Sequence, residues 1–223
     1  MKKAVLVLAM SAGLLSGTRA DVPAPPPAPG ISARYPGDEG IEKDPDVLFV
    51  SQFEEDSVAG AAKRWTEAKG ANDGVLVLSG DVPPGSPGKK SLQMTATKGK
   101  NTGGHLWKLL KPGVDEMYAR FYVKFSKDHP YVHHFVKIGA WKDSPNWPQG
   151  EAGHRHDGAK SFQTGIEPGS EWGKRDPPGA WFFYTYWQGM RSWQGPKGTS
   201  FYGNAFAPAA AEQVPRDQWQ CVE

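Results

Sequence analysis

Residues 116–126, EMYARFYVKFS, form the clearest two-residue alternation of apolar and polar side chains in the chain. Successive side chains of a β-strand point to opposite faces, so this alternation predicts a strand with one face in the core. The predicted core face consists of Met117, Ala119, Phe121, Val123 and Phe125. The other face carries tyrosines and cations, namely Tyr118, Arg120, Tyr122 and Lys124. That second face either binds a substrate or solubilises a sheet while its tyrosines pair across strands.

Short apolar runs separated by Gly, Pro, Asn and Asp fill the chain from Asp46 onward. Such runs predict strands joined by turns. The predicted strands are Val47–Phe53, Gly74–Ser79, Ser91–Thr97, His105–Leu110, Glu116–Ser126, His133–Ala140, Ser161–Glu167, Trp181–Gln188 and Trp219–Glu223. Only Val58–Lys69 has a helix-like composition. Many strands with almost no helix favour an all-β fold, either a sandwich or a barrel.

Residues 1–20 have the layout of a secretory signal peptide. Lys2 and Lys3 precede an apolar run over residues 4–15, and Thr18-Arg19-Ala20 places small residues around a cleavage site after Ala20. The apolar run is too short for a stable membrane span. We therefore expect a secreted or periplasmic protein, without a transmembrane segment in the mature chain.

Removal of the predicted signal peptide brings the net charge close to zero. The peptide contains three of the 26 Lys and Arg residues, which leaves 23 against 24 Asp and Glu. This balance does not indicate a surface that follows nucleic-acid phosphates, so no nucleic-acid partner is expected. Cys221 is the only cysteine, which excludes an internal disulfide.

The length of the chain suits one folded domain. Residues 21–30, DVPAPPPAPG, predict a polyproline-type tether, and a polar lead-in follows up to residue 45. Residues 46–223 then form the predicted domain, which we expect to be monomeric.

Aromatic residues are concentrated in one part of the domain. Their flat rings and polar tips suit contacts with sugars, but they suit a protein core equally well. The residues concerned are Trp172, Trp181, Tyr184, Tyr186, Trp187, Trp193 and Tyr202.

Five polar residues on predicted strands could form a site. Tyr184 and Tyr186 share one face and can accept and donate a proton, if a nearby cation stabilises the phenolate. Lys137 lies among apolar residues, and a lysine in a cleft can bind a carboxylate or lower the pKa of a phenol. Ser161 and Gln163 share a face and can donate hydrogen bonds to that carboxylate.

Metal and cofactor sites are poorly indicated. His154 and His156 have a spacing that can bind a metal, but the sequence shows no third ligand. A polar loop at the rim of a cleft is the expectation there, with neither metal nor cofactor. No phosphate-binding loop, dinucleotide motif or nucleophile elbow is present. The acids on predicted strands, Glu116, Glu167 and Glu223, do not form the cluster that a glucanase-type glycosidase needs.

The order of several segments resembles the concanavalin A-like jelly-roll group, and within it polysaccharide lyase family 14. The segments are VLFVSQFE (47–54), GKKSLQM (88–94), MYARFYVKF (117–125), FVKIG (135–139), SFQ (161–163) and YTY (184–186). The chain is also similar to secreted bacterial proteins that share NWPQGEAG (146–153), PPGAWFFYTYW (177–187) and YGNAF (202–206). The resemblance implies a jelly-roll β-sandwich. Similar proteins continue with further strands after WQCVE (219–223), so a sandwich incomplete at its C-terminus is expected.

The lyase resemblance implies β-elimination of an anionic uronate polymer such as alginate or glucuronan. It implies catalytic roles for Lys137, Tyr184 and Tyr186. It also implies a substrate-binding group formed by Arg120, Tyr122, Lys124, Ser161 and Gln163. The alternative is a non-catalytic carbohydrate-binding sandwich that uses the same aromatic and cationic face.

Overall fold

The structure is a computed structural model that describes residues 30–142 and 152–223. The predicted signal peptide and residues 21–29 of the tether lie outside the described residues, as do residues 146–151 of the NWPQGEAG segment.

Short strands dominate the described part of the chain. They are β1 (Glu67–Lys69), β2 (Leu76–Ser79), β3 (Ser91–Met94), β4 (His105–Trp107), β5 (Phe121–Val123), β6 (Val136–Trp141), β7 (Ser161–Gly169), β8 (Ala180–Tyr186), β9 (Trp193–Gly195), β10 (Gly198–Ser200), β11 (Asn204–Phe206) and β12 (Gln220–Val222). The helices are α1 (Ile31–Arg34) and α2 (Val58–Ala62), with 3₁₀ turns at Pro36–Asp38 and Ile41–Lys43.

The strands pair in several antiparallel sheets. The largest has four strands in the order β11–β8–β7–β6, and the others are the pairs β1–β4, β2–β3, β5–β12 and β9–β10. The predicted all-β class is confirmed at this level.

Two predicted elements are wrong. Residues Val47–Phe53 form no strand. There the Val50 carbonyl accepts hydrogen bonds from Arg64, and Phe53 has a left-handed φ of 60°, which interrupts an extended backbone. The predicted helix over Val58–Lys69 ends at Ala62, and Glu67–Lys69 instead pairs with β4 as a strand.

The predicted core face of residues 116–126 is only partly correct. Phe125 is buried and Phe121 is half-buried, whereas Met117 and Ala119 are exposed. The strand extends over Phe121–Val123 only, where β12 supplies a hydrogen-bonding partner. Around it, the rings of Phe121, Phe125, Phe135 and Trp181 pack against one another.

The register of the four-stranded sheet decides which side chains share a face. Lys137 lies opposite Gly165, which lies opposite Tyr184. Side chains alternate along each strand, so the same face carries alternate polar residues of β7 and β8. We call this surface the site face; its polar members are Lys137, Ser161, Gln163, Glu167, Tyr184 and Tyr186.

Candidate functional site

Lys137 and Tyr184 lie on either side of Gly165 on the site face. A Cβ atom at Gly165 would lie 3.2 Å from Cγ of Lys137, so the lysine side chain passes close over the glycine. A Cβ atom at Gly203 would lie 2.6 Å from the ring of Tyr184. The two glycines therefore leave room for the lysine stem and the phenol ring.

The two tyrosines of β8 contact each other. The hydroxyl of Tyr184 lies 3.5 Å from that of Tyr186, and the ring centroids are 5.5 Å apart in an edge-to-face arrangement. Tyr186 is buried, while Tyr184 is half-buried. Burial, followed by the hydrogen bond between Tyr184 and Tyr186, raises the pKa of Tyr184 above its ordinary value. At neutral pH Tyr184 is therefore a phenol, which can donate a proton.

Lys137 is the cation of the site face. Its side chain keeps an exposed surface, yet partial desolvation lowers its pKa, while the nearby Glu167 carboxylate acts in the opposite direction. A lysine in this position has fewer water contacts to lose when it meets an anion. It is suited to hold a substrate carboxylate.

Ser161 and Gln163 lie at one end of the site face, where Ser161 is half-buried and Gln163 is buried. Gln163 is only 2% exposed, and its Oε1 atom has no hydrogen-bond partner among residues 30–142 and 152–223. The hydroxyl of Ser161 lies 3.4 Å from Nδ1 of His156, whose buried ring is 5.3 Å from the ring of Tyr186. Gln163 and His156 form a buried polar layer next to Tyr186; the sequence predicts Ser161 and Gln163 near the tyrosines but indicates His156 only as a possible metal ligand.

Glu167 on the site face and His134 beside it are not assigned to this site by the sequence. The carboxylate of Glu167 is buried, and its Oε2 atom lies 3.3 Å from Nδ1 of His134. The ring of His134 lies 5.4 Å from that of Tyr184. Glu167 could have been found from the sequence, because it follows Gln163 by four residues on one strand and so shares its face. His134 precedes β6 and has a φ of 65°, which no alternation pattern indicates.

The predicted substrate-binding residues of the 116–126 stretch belong to another sheet. Arg120 forms ion pairs with Asp38 and Glu223, and the latter distance is 2.7 Å. Burial opposes the charge of Arg120, but hydrogen bonds and attraction from these two acids raise its pKa overall. Desolvation, followed by the hydrogen bond and the charge of Asp38, raises the pKa of Tyr122 to about 12.

Lys124 is likewise engaged by acids. Its Nζ atom lies 2.6 Å from Asp81 and 3.3 Å from Asp217. The hydrogen bond to Asp81 is the main cause that raises the pKa of Lys124. The structure therefore unites Lys137, Tyr184, Tyr186, Ser161 and Gln163, and it places the 120–124 residues apart from them.

Among residues 30–142 and 152–223, no group of three or more His, Cys, Asp and Glu side chains is arranged to hold a metal ion. His154 is exposed and His156 is buried, so the two do not face one site. Within the same ranges, no helix has the length and apolar character needed to cross a membrane.

The chain matches no known protein-family model, no curated protein and no solved structure.

Proposed function

We propose that this protein is a secreted polysaccharide lyase that cleaves a uronate-containing polymer by β-elimination. The observation that carries the proposal is the placement of Lys137 and Tyr184 on the two strands that flank Gly165, which puts a cation and a protonated phenol on the same sheet face. Elimination next to a uronate carboxylate needs one group that neutralises the carboxylate and one that protonates the leaving oxygen.

In the proposed reaction the Lys137 ammonium binds the uronate carboxylate. This contact acidifies the neighbouring C5 proton, because negative charge that develops during its removal spreads onto the carboxylate. Stabilisation of developing charge in a water-poor site commonly supplies the largest share of a rate enhancement. The phenol of Tyr184 donates its proton to O4 as the C4–O4 bond breaks. The buried Tyr186 holds the Tyr184 ring in place through an edge-to-face contact and a hydrogen bond between the hydroxyls.

A jelly-roll sandwich is part of the same proposal. The face of the four-stranded sheet opposite the site face is largely apolar apart from Thr164, Thr185 and Asn204, and it exposes about half of Phe162, Phe183 and Phe206. An apolar sheet face is characteristic of the inner side of a two-sheet sandwich. Export, which we infer from residues 1–20, would bring such an enzyme to its polymer outside the cytoplasm.

A non-catalytic carbohydrate-binding protein is the second candidate, and one observation favours it. Trp172 is 86% exposed, and its ring lies 6.3 Å from that of the exposed Trp193. Flat exposed indole rings stack on sugar rings without any chemistry. In that case the site face would hold an anionic polymer and leave it intact.

The test incubates the purified protein with alginate, glucuronan and related uronans and records the ultraviolet absorbance of the unsaturated product. A lyase gives a steady rise with at least one polymer, and Tyr184→Phe reduces the rate by about 10²-fold or more, because proton donation is lost. Tyr118→Phe is the matched control, since Tyr118 is highly exposed and hydrogen-bonds to Glu116. Binding to a polymer without any rise in absorbance would support the second candidate instead.

A further inference from the structure

The exposure of the site face limits which groups can touch a substrate. Gln163, Tyr186 and Glu167 have 2%, 4% and 6% of their surface exposed, so they lie behind the surface that a polymer would meet. Lys137, Ser161 and Tyr184 keep exposed surface. So does the side chain of His134, which is 35% exposed and reaches this face from the residues before β6.

The proposed reaction also needs a proton acceptor at C5. Lys137 is occupied by the carboxylate in the proposed reaction, and an ammonium ion cannot accept a proton. Tyr184 holds its own proton, since burial raises its pKa. The Ser161 hydroxyl lies against the buried His156. Among the described residues that reach the site face, the imidazole of His134 remains, and neutral imidazole is an effective base near neutral pH.

The imidazole ring of His134 is held in one orientation by Glu167, as a catalytic base requires. Its Nδ1 atom lies 3.3 Å from the buried Glu167 carboxylate. An ionised carboxylate accepts hydrogen bonds and cannot donate them. In the neutral ring this contact favours the proton on Nδ1, which leaves the lone pair on Nε2. The other ionisable groups around the ring are His133, with ring centroids 4.1 Å apart, and Tyr184, with ring centroids 5.4 Å apart. Lys137 faces the same Glu167 carboxylate.

The backbone at His134 supports a functional position. Its φ of 65° is a left-handed conformation that a residue with a Cβ atom rarely adopts. It turns the ring toward Glu167 and Tyr184, while the next residue, Phe135, packs against Phe125 and Trp181. Strained backbone of this kind concentrates at functional sites.

We propose that His134, held in one tautomer by Glu167, is the catalytic base that removes the C5 proton of the uronate. This inference rests on the proposed lyase function. Nε2 takes the proton, the C5–H electron pair becomes the C4–C5 double bond, and the C4–O4 bond breaks. Its electron pair leaves on O4, which takes the phenol proton of Tyr184. Solvent then returns a proton to Tyr184 and removes one from His134.

The first test needs no substrate. Nitrogen-15 NMR of the imidazole rings in the full chain distinguishes the two neutral tautomers, with His134→Gln used to assign the signal. We expect His134 to be protonated at Nδ1 and bare at Nε2. Glu167→Met removes the acceptor and should mix the tautomers, whereas Glu167→Gln keeps an acceptor oxygen and should restore the Nδ1–H form. A wild-type His134 protonated at Nε2 would overturn the proposal, whether or not the Glu167 variants fold.

The second test measures kcat/KM against pH on a uronan that the wild type cleaves. His134→Gln should lower kcat by 10²-fold or more and abolish the decline of activity on the acid side, because that decline reports protonation of the base. His133→Gln is the matched control: it removes the exposed neighbouring imidazole and should leave the acid side in place.

The two proposals fail in different ways. An active wild type whose His134→Gln variant keeps both its rate and its acid-side decline would overturn the role of His134 and leave the lyase proposal standing. A folded wild type that cleaves no uronan would overturn both.

Discussion

The phenol oxygens of Tyr184 and Tyr186 lie 3.5 Å apart, with the Tyr184 side chain half-buried and that of Tyr186 buried. Burial first, and then the Tyr186 hydroxyl, raise the pKa of Tyr184. Tyr186 therefore helps to keep Tyr184 protonated, which is the form that can donate a proton to a leaving oxygen.

Tyr186→Phe should lower the pKa of Tyr184 toward, but not down to, the ordinary value near 10, because burial remains. Tyrosinate absorbance recorded during an alkaline titration measures this, and Tyr184→Phe identifies the signal. Because the pKa of Tyr184 is higher in the folded than in the unfolded chain, its protonated form contributes to the free energy of unfolding. This contribution is complete below about pH 10 and is lost as the pH rises through the folded-state pKa. An unchanged Tyr184 titration in Tyr186→Phe would show that the contact has no electrostatic effect.

Lys137→Met should weaken binding of an anionic polymer by about 10-fold or more, because an ion pair in a partly desolvated place is lost. Isothermal titration in the Tyr184→Phe background separates binding from turnover. Desolvation lowers the pKa of Lys137, so wild-type binding should decline on the alkaline side before an ordinary lysine would lose its charge near pH ~10.4. Lys124→Met is the control, since Asp81 and Asp217 already hold that ammonium.

Gly165→Ala should reduce turnover by about 10-fold with a smaller effect on stability. The added methyl group would lie 3.2 Å from Cγ of Lys137, so the lysine must move away from Tyr184. Small displacements of a positioned group cost large factors in rate. Gly80→Ala adds the same group where no atom lies within 4 Å and should leave the rate unchanged. Equal rates for both variants would argue against close positioning of Lys137.

Arg120→Met should lower the free energy of unfolding by about 1–3 kcal/mol, because it leaves two acids without their shared partly buried cation. Its partners, Asp38 and Glu223, lie far apart in the chain, so the contact ties the two ends of the described region together. Chemical denaturation measures the change. Arg175→Met breaks an exposed pair with Glu171 and should cost less than about 0.5 kcal/mol.

We expect Arg120→Met to leave kcat unchanged in the fraction of protein that stays folded. A fall in kcat without loss of stability would instead support the substrate-binding role that the resemblance implies for Arg120.

Trp172→Ala should weaken polymer binding by about 3- to 10-fold, which corresponds to loss of one aromatic stacking contact. The ring is 86% exposed, so the unfolding free energy should hardly change. Affinity electrophoresis in a uronan gel measures the binding. Leu48→Ala removes another exposed apolar side chain and serves as the control. Equal mobility of Trp172→Ala and wild type in the gel would contradict a polymer-binding role for the exposed Trp172 ring.

The site face was predicted better than the rest of the fold. Tyr184 with Tyr186, and Ser161 with Gln163, were paired on one face from the two-residue period of a strand, and the structure places them so. Val47–Phe53 was apolar enough to predict a strand, but strand formation also needs a hydrogen-bonding partner. There the Val50 carbonyl is taken by Arg64.

The cations of residues 116–126 also have contacts that the sequence alone could not predict. In the sequence, Arg120 and Lys124 look the same as cations of a binding surface. Their ion-pair partners are not found among the residues next to them in the chain. Their acids, Asp38, Glu223, Asp81 and Asp217, come from distant parts of the chain. Only a folded chain shows that these charges are already paired.

Local backbone geometry made the alternation of faces along β7 and β8 predictable, because the period of an extended strand is set by each residue and its immediate neighbours. The register that puts Lys137 opposite Gly165 and Gly165 opposite Tyr184 depends on pairing between strands that are distant in sequence. The same holds for the contact of His134 with Glu167, which a left-handed backbone turn brings onto the site face. Which side chains share a face is a local property, whereas which of them meet is decided by long-range packing.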